Sequence, residues 1–211
     1  MASEEMLDTF TEQLERTGSA SRRQVHAEGL WHQTFQCWLI DRQTDPADPG
    51  LLFQLRAEDK ETFPGKLDIS CAGHLLAGET PADGIRELEE ELGIAVNPED
   101  LHYCGTVAQE SFISAELTDR EFNHVYVYES SLPLAEYPFQ RSEISGLFRI
   151  GLKDYKALLS GELAEVEARS GIRHDRVQDK LYPAAERFTL EDFTPNSEAY
   201  YKLLFEAAEA L

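Results

Sequence analysis

Glu79-Thr80-Pro81-Ala82-Asp83-Gly84-Ile85-Arg86-Glu87-Leu88-Glu89-Glu90-Glu91-Leu92-Gly93-Ile94 is the stretch on which the reading of this chain turns. It reads as a short helix. Thr80 suits an N-cap, Pro81 the first helical position, and Asp83 stands at capping-box spacing. Gly93 stands where a left-handed C-cap would end the helix. Ile85, Leu88 and Leu92 recur at i, i+3 and i+7 and form an apolar face to bury. Glu87, Glu90 and Glu91 are three and four residues apart, so their carboxylates project to a common side and repel. Only Arg86 is close enough in sequence to offset them. A charge run on a helix is commonly a solvated face. A hard divalent cation such as Mg²⁺ would also resolve the repulsion, because it favours carboxylate oxygens and bridges to substrate phosphates. Spacing alone leaves both readings open.

Gly73, five residues, Glu79, then six residues and Arg86-Glu87-Leu88-x-Glu90-Glu91-x-Gly93-Ile94 resembles the signature of the Nudix hydrolases. The family pattern has seven residues where this chain has six between Glu79 and Arg86. One residue fewer turns a helix by about 100°, so Glu79 reaches its usual place only if the Gly78–Pro81 turn absorbs the change. The resemblance implies an α/β fold, a Nudix-type α/β/α sandwich with a mixed sheet. It implies Mg²⁺, with Mn²⁺ as the alternative, held by Glu87, Glu90, Glu91 and the Gly73 carbonyl. Glu90 and Glu91 are then catalytic carboxylates, and Arg86 pairs with one of them to fix its rotamer. A further carboxylate commonly assists from a loop; Glu143 is the candidate, against an ordinary surface-loop role.

His26-Ala-Glu-Gly-Leu-Trp31-His32-x-Thr34-Phe35, Arg56-x-x-x-Lys60-x-x-Phe63-Pro64-Gly65 and Ala72-Gly73-His74 are similar to the isopentenyl-diphosphate-isomerase-like branch of the superfamily. There an Arg and a Lys four apart hold the substrate's diphosphate. That role falls here to Arg56, a fork donor, and Lys60, a point charge. The isomerases carry a catalytic Cys just before Gly-His, where this chain has Ala72. Cys71 lies one residue away, and in a strand that offset points its thiol to the opposite face. The expected activity is therefore hydrolysis of a diphosphate linkage in a nucleoside-diphosphate-type or other organic diphosphate. The alternatives are an isomerase-like enzyme and a non-catalytic diphosphate-binding module. The isomerases also bind a metal through three histidines and two glutamates. His32 and His74 match that set and His26 is one residue off, while His124 and Phe122 fall where the acidic ligands belong, with Glu121 just outside. A pocket-lining role for the histidines is expected over metal binding.

Forty acidic and nineteen basic residues give a net charge of −21, which argues against nucleic-acid or anionic-membrane partners and for a small-molecule diphosphate. An anionic substrate then needs local cations. Cys37, Cys71 and Cys104 form no pairing or metal pattern, and Met1–Glu5 lacks the features of a signal peptide, so a reducing cytoplasm is expected. A homodimer is left open. One domain is expected over 1–211, with a core of about 30–150 and a helical extension of about 151–211.

Along the chain, Leu7, Phe10 and Leu14 fit a helix, but the related sequences favour a hairpin of Met6–Thr11 and Arg16–Ala20. Strands are expected at Thr34–Asp41, Leu51–Arg56, Leu67–Gly73, Leu101–Phe112 and Phe122–Tyr128, with a short edge strand at Ile144–Ile150. Thr44–Gly50, with Asp-Pro twice, reads as a loop. Asp154–Leu159, Leu163–Ala168 and Ser197–Leu211 read as helices. Trp31, Phe63 and Tyr128 are the aromatics considered for stacking a base.

Overall fold

Strand β3 (Trp31–Asp41) organises the molecule. Both of its faces are buried along most of its length, which requires cover on each side. On one face Phe35, Cys37 and Leu39 meet Leu88 and Leu92 of helix α2 (Arg86–Leu92). On the other, Trp38 and Ile40 meet Tyr155 of helix α3 (Leu152–Ser160) and Tyr200 and Leu204 of helix α4 (Glu198–Ala210). Trp38 Nε1–H donates to the Tyr200 hydroxyl at 3.0 Å, satisfying an indole that would otherwise be buried unpaired. The computed structural model describes residues 4–45, 47–114 and 117–211, so Met1–Ser3 and Pro46 of the Thr44–Gly50 loop lie outside the described residues. The α/β/α sandwich with a mixed sheet is the architecture.

Strand β3 runs parallel to β8 (Leu117–Glu129), in register from Trp31↔Arg120 to Ile40↔Glu129, and antiparallel to β6 (Cys71–His74), from Thr34↔His74 to Cys37↔Cys71. Strand β4 (Gly50–Arg56) pairs with β3 through Ile40 and Asp41, and with the short β5 (Leu67–Asp68). Strand β7 (His102–Ser114) completes a long antiparallel pair with β8. The N-terminal hairpin forms as β1 (Met6–Phe10) and β2 (Arg16–Ser21). A helix not anticipated, α1 (Arg22–Glu28), follows it, with Ser21 accepting from the Gln24 N–H and Gly29 at φ 60° closing its C-terminus. Those caps were present in the sequence as signals.

Two expectations need correction. Leu163–Ala168 is not helical: Glu165–Asp175 is strand β10, paired with β11 (Lys180–Thr189). Val166 and Ala168 are buried while Glu165, Glu167 and Arg169 are exposed, a period of two that six residues show only weakly. The helical extension is therefore two helices around a hairpin. That hairpin joins the sheet through β9 (Ile144–Gly151), with Ser170↔Arg149 to Arg173↔Gly146 in register. Strand β9 lies between β4 and β10 and is not an edge strand. Among the described residues no helix is long and apolar enough to cross a membrane.

Candidate active site

The acidic stretch does not form one helix. Pro81–Ile85 is a 3-10 turn, with the Asp83 carboxylate accepting from the Thr80 N–H and hydroxyl at 2.7 Å each, and α2 begins only at Arg86. Gly93 at φ 68° ends it. The tighter turn of a 3-10 segment, with Gly78 at φ 89°, absorbs the missing residue before Arg86. Glu79 consequently reaches Arg86, accepting from Nε at 2.8 Å and Nη2 at 3.0 Å. Its Oε2 also takes the Leu76 N–H at 2.7 Å.

Arg86 is the hub of the cluster. Its Nη1 donates to Glu87 at 2.6 Å and to Glu90 at 3.1 Å, and its Nη2 to the His74 carbonyl at 2.9 Å. Glu87 and Glu91 are buried and Glu90 is exposed. Burial pushes the Glu87 carboxyl up to about 7 against the pull of Arg86, and the Glu91 carboxyl up to about 8. The Ala72 N–H at 3.1 Å and Gln54 Nε2 at 3.5 Å donate to Glu91. Gly73 leaves the space that the Glu87 carboxyl group fills: a Cβ there would force that group to move. Desolvated carboxylates against a bare glycine backbone, short of cationic partners, make a donor set that fits a hard divalent ion.

These groups open into a cavity of about 590 Å³. Arg56, Lys60, Glu143 and Phe63 also line it. Lys60 Nζ donates to Glu143 at 2.6 Å. The Arg56 guanidinium is committed to the wall, with Nη1 to Asp68 at 2.7 Å and Nε and Nη2 to the Thr62 carbonyl at 3.0 and 2.8 Å. Of the aromatics considered for stacking, only Phe63 borders the cavity; Trp31 packs on Phe122 with ring centroids 4.8 Å apart, and Tyr128 packs against the core on the α2 side. The Cys71 thiol is fully buried on that side, and burial raises it well above its ordinary value.

A second cluster lies on the other side of Gly73. His26 of α1, His32 of β3 and His74 of β6 come together, with His26 Nε2 3.3 Å from His74 Nε2. The acidic partners are Asp119, missed in the sequence, and Glu121, placed there just outside the acidic positions, rather than His124 or Phe122. His32 Nε2 lies 3.5 Å from Asp119 and 3.9 Å from Glu121. The parallel pairing His32↔Glu121 brings them there, and their alternate spacing along one strand was the signal available. His32 Nδ1 sits 3.0 Å from the Leu30 carbonyl, which leaves Nε2 facing inward. That Nε2 and Asp119 Oδ1 are buried without a hydrogen-bond partner among the described residues. Burial lowers His32 to about 4 and His74 well below its usual range, keeping both imidazoles neutral, while it raises Asp119 and Glu121.

Comparison with known proteins agrees with this construction. The NUDIX domain family model matches residues 30–169. An uncharacterized Nudix hydrolase of Clostridium acetobutylicum is 36% identical over 204 residues, covering 97% of each chain. An isopentenyl-diphosphate Delta-isomerase of Serratia proteamaculans is 34% identical over 111 residues, which is 52% of this chain and 58% of that one. A crystal structure from Deinococcus radiodurans shares the fold, with a TM-score of 0.55 and 24% identity over 74% of this chain and 90% of its own. A relative matched over 97% of both chains, a family match from β3 through α3, and the Arg86–Glu91 cluster against Gly73 together mean that the chain belongs to the Nudix hydrolase family.

Proposed function

We propose that the chain hydrolyses the diphosphate linkage of an organic diphosphate, of the nucleoside-diphosphate type or another, with Mg²⁺ or Mn²⁺ held by Glu87, Glu90, Glu91 and the Gly73 carbonyl. The observation that carries this reading is the desolvated Glu87–Glu91 pair beside Gly73 at the cavity wall. When bound, the ion supplies charge neutralisation at phosphorus and lowers the pKa of water. The protein's own groups do the positioning. Arg86, fixed by Glu79, holds the rotamers of Glu87 and Glu90. Burial raises the Glu91 carboxyl, so in the bare fold it is protonated near neutrality, and a cation it helped to hold would keep it as a carboxylate. Substrate phosphate oxygens compete with Glu143 for Lys60, and that exchange frees Glu143 to act as a base. Arg56 contributes charge from the wall, through a guanidinium already braced by Asp68.

The histidine–carboxylate cluster suits a second divalent ion, Zn²⁺ or Mn²⁺, because neutral imidazoles and carboxylates gather around an orphaned His32 Nε2 that would be one of its ligands. With Asp119 and Glu121 in place this set parallels the three-histidine, two-carboxylate site of the isomerases, so the case against isomerisation rests on the residues at 71 and 72. Ala72 carries no titratable group, and the Cys71 thiol is fully buried beside Glu91, where burial keeps it protonated. The test is a panel of diphosphates with Mg²⁺ or Mn²⁺, scored by phosphate or nucleotide release. Release that stops with excess chelator is the expected result, and undiminished release with chelator overturns the reading.

A further inference from the structure

Two loops make the Lys60–Glu143 pair at the cavity: residues 57–66 between β4 and β5, and residues 130–143 between β8 and β9. The Gln140 N–H donates to the Glu91 carbonyl at 2.7 Å, and the Ala57 N–H to the Glu143 carbonyl at 2.9 Å. A single bond between the loops is a pivot and leaves their relative orientation free. Arg176, at the tip of the β10–β11 hairpin, adds a second tie. Its Nη1 and Nη2 donate to the two Asp59 carboxylate oxygens at 3.1 Å each, and Nη2 also donates to the Ser142 carbonyl at 3.0 Å. Asp59 precedes Lys60 and Ser142 precedes Glu143. One guanidinium thus spans the residues next to both members of the pair.

The tip that carries Arg176 is itself braced. Asp175 Oδ1 accepts from the Val177 and Gln178 N–H groups at 2.8 and 3.0 Å, which shapes the turn. Asp179 Oδ1 accepts from Arg141 Nη1 at 2.7 Å, and His174 Nε2 stands 2.9 Å from the same oxygen. A planar fork on a braced turn holds a carboxylate in one orientation, which a point charge on a flexible stem does not. Asp59 is 68% exposed, and an exposed ion pair contributes little to stability. What the Arg176 contacts supply is orientation.

We infer that Arg176 is a positioning residue for the reaction: by tying Asp59 to the Ser142 carbonyl, it holds Lys60 and Glu143 where they exchange partners with the substrate's diphosphate. The inference rests on the hydrolase reading above, in which that exchange puts Lys60 on phosphate oxygens and frees Glu143. Without the tie the loops turn about the Ala57–Glu143 bond, and Lys60 and Glu143 meet the substrate in the productive geometry less often.

The test is steady-state kinetics with Mn²⁺ on ADP-ribose, UDP-glucose and geranyl diphosphate, followed on whichever the wild type cleaves fastest. Arg176→Ala is expected to lower kcat/KM by about tenfold, with a melting temperature within about 2 °C of the wild type. Arg176→Lys keeps the charge without the fork and should recover only part of the loss. In a Lys60→Ala background the same Arg176→Ala change should cost less than about twofold, because the pair it positions is gone. Arg187→Ala breaks an exposed ion pair with Glu165 on the same hairpin, away from both loops, and should match the wild type. Unchanged kcat/KM in Arg176→Ala, an equal loss with and without Lys60, an equal loss in Arg187→Ala, or a melting temperature that falls beyond that range overturns the positioning role and leaves the hydrolase reading standing. No cleavage of any diphosphate with metal overturns the hydrolase reading and this inference together.

Discussion

Gly73 and His74 are neighbours in β6, yet each closes a different cluster of ionisable groups, and the two are built in opposite ways. On the Gly73 side three glutamates come from one helix, spaced by its pitch, and a single guanidinium holds two of them. On the His74 side three histidines and two carboxylates come from α1, β3, β6 and β8, and strand register together with the packing of α1 on β8 unites them. Burial drives both towards neutrality, but from opposite directions. It raises Glu87 and Glu91, which then resist losing a proton, and it lowers His32 and His74, which then resist gaining one. One fold thus places two such clusters side by side: the glutamates of the first favour low pH when empty, while in the second the histidines favour high pH and Asp119 and Glu121 low pH. The Arg86–His74 carbonyl bond is the mechanical link between them.

The largest effect short of removing a ligand is expected at that link. Glu79→Gln keeps the shape but removes the charge that anchors Arg86 at two points. Arg86 then holds Glu87 and Glu90 less firmly, and kcat should fall about tenfold, or ~1.4 kcal/mol, with KM little changed. A change confined to KM would assign Glu79 to substrate contact instead and would separate the two clusters.

A smaller effect distinguishes the clusters by their pH limbs in chelator-treated protein. Glu91 titrates at about 8 in the fold, against 4.5 unfolded. Its contribution is fully present below about pH 4.5 and is lost as pH rises towards 8, because the unfolded state releases the proton first. His32 titrates at about 4 in the fold, against 6.5 unfolded. Its contribution is present above about pH 6.5 and is lost as pH falls towards 4. Thermal melts across pH should therefore show Glu91→Gln flattening the alkaline limb and His32→Gln the acid limb. If either variant flattened both, the clusters would form one coupled unit.

Most of the helix-built cluster was legible in the sequence, because contacts three and four residues apart are set by helical geometry. Arg86, Glu87, Glu90, Glu91 and Gly73 do come together. Glu79 was legible in type, but its place depended on whether a 3-10 turn replaced the first turn of the helix. The sheet-built cluster was half legible. The histidines could be named, but Asp119 and Glu121 could be chosen over Phe122 and His124 only with the β3–β8 register known, and one residue of slip exchanges the faces. The same limit hid β10, whose alternation spans too few residues to outweigh a helical reading. It also hid the bracing of Arg56 by Asp68, a contact between two strands. Lys60 and Glu143 were each singled out for separate roles, and their pairing at 2.6 Å emerged only from the folded loops.

The central claim is that the chemistry belongs to the helix cluster and not to the histidine cluster. Glu91→Gln and His32→Gln, stripped of metal and titrated with Mn²⁺, test it by counting bound ions and measuring turnover on the same samples. Glu91→Gln is expected to keep the ion at the histidines and lose turnover by roughly a thousandfold. His32→Gln is expected to lose that ion and keep turnover within about 10- to 100-fold of the wild type. Wild-type turnover in Glu91→Gln, together with its abolition in His32→Gln, would contradict the account and move the reaction to the other side of Gly73.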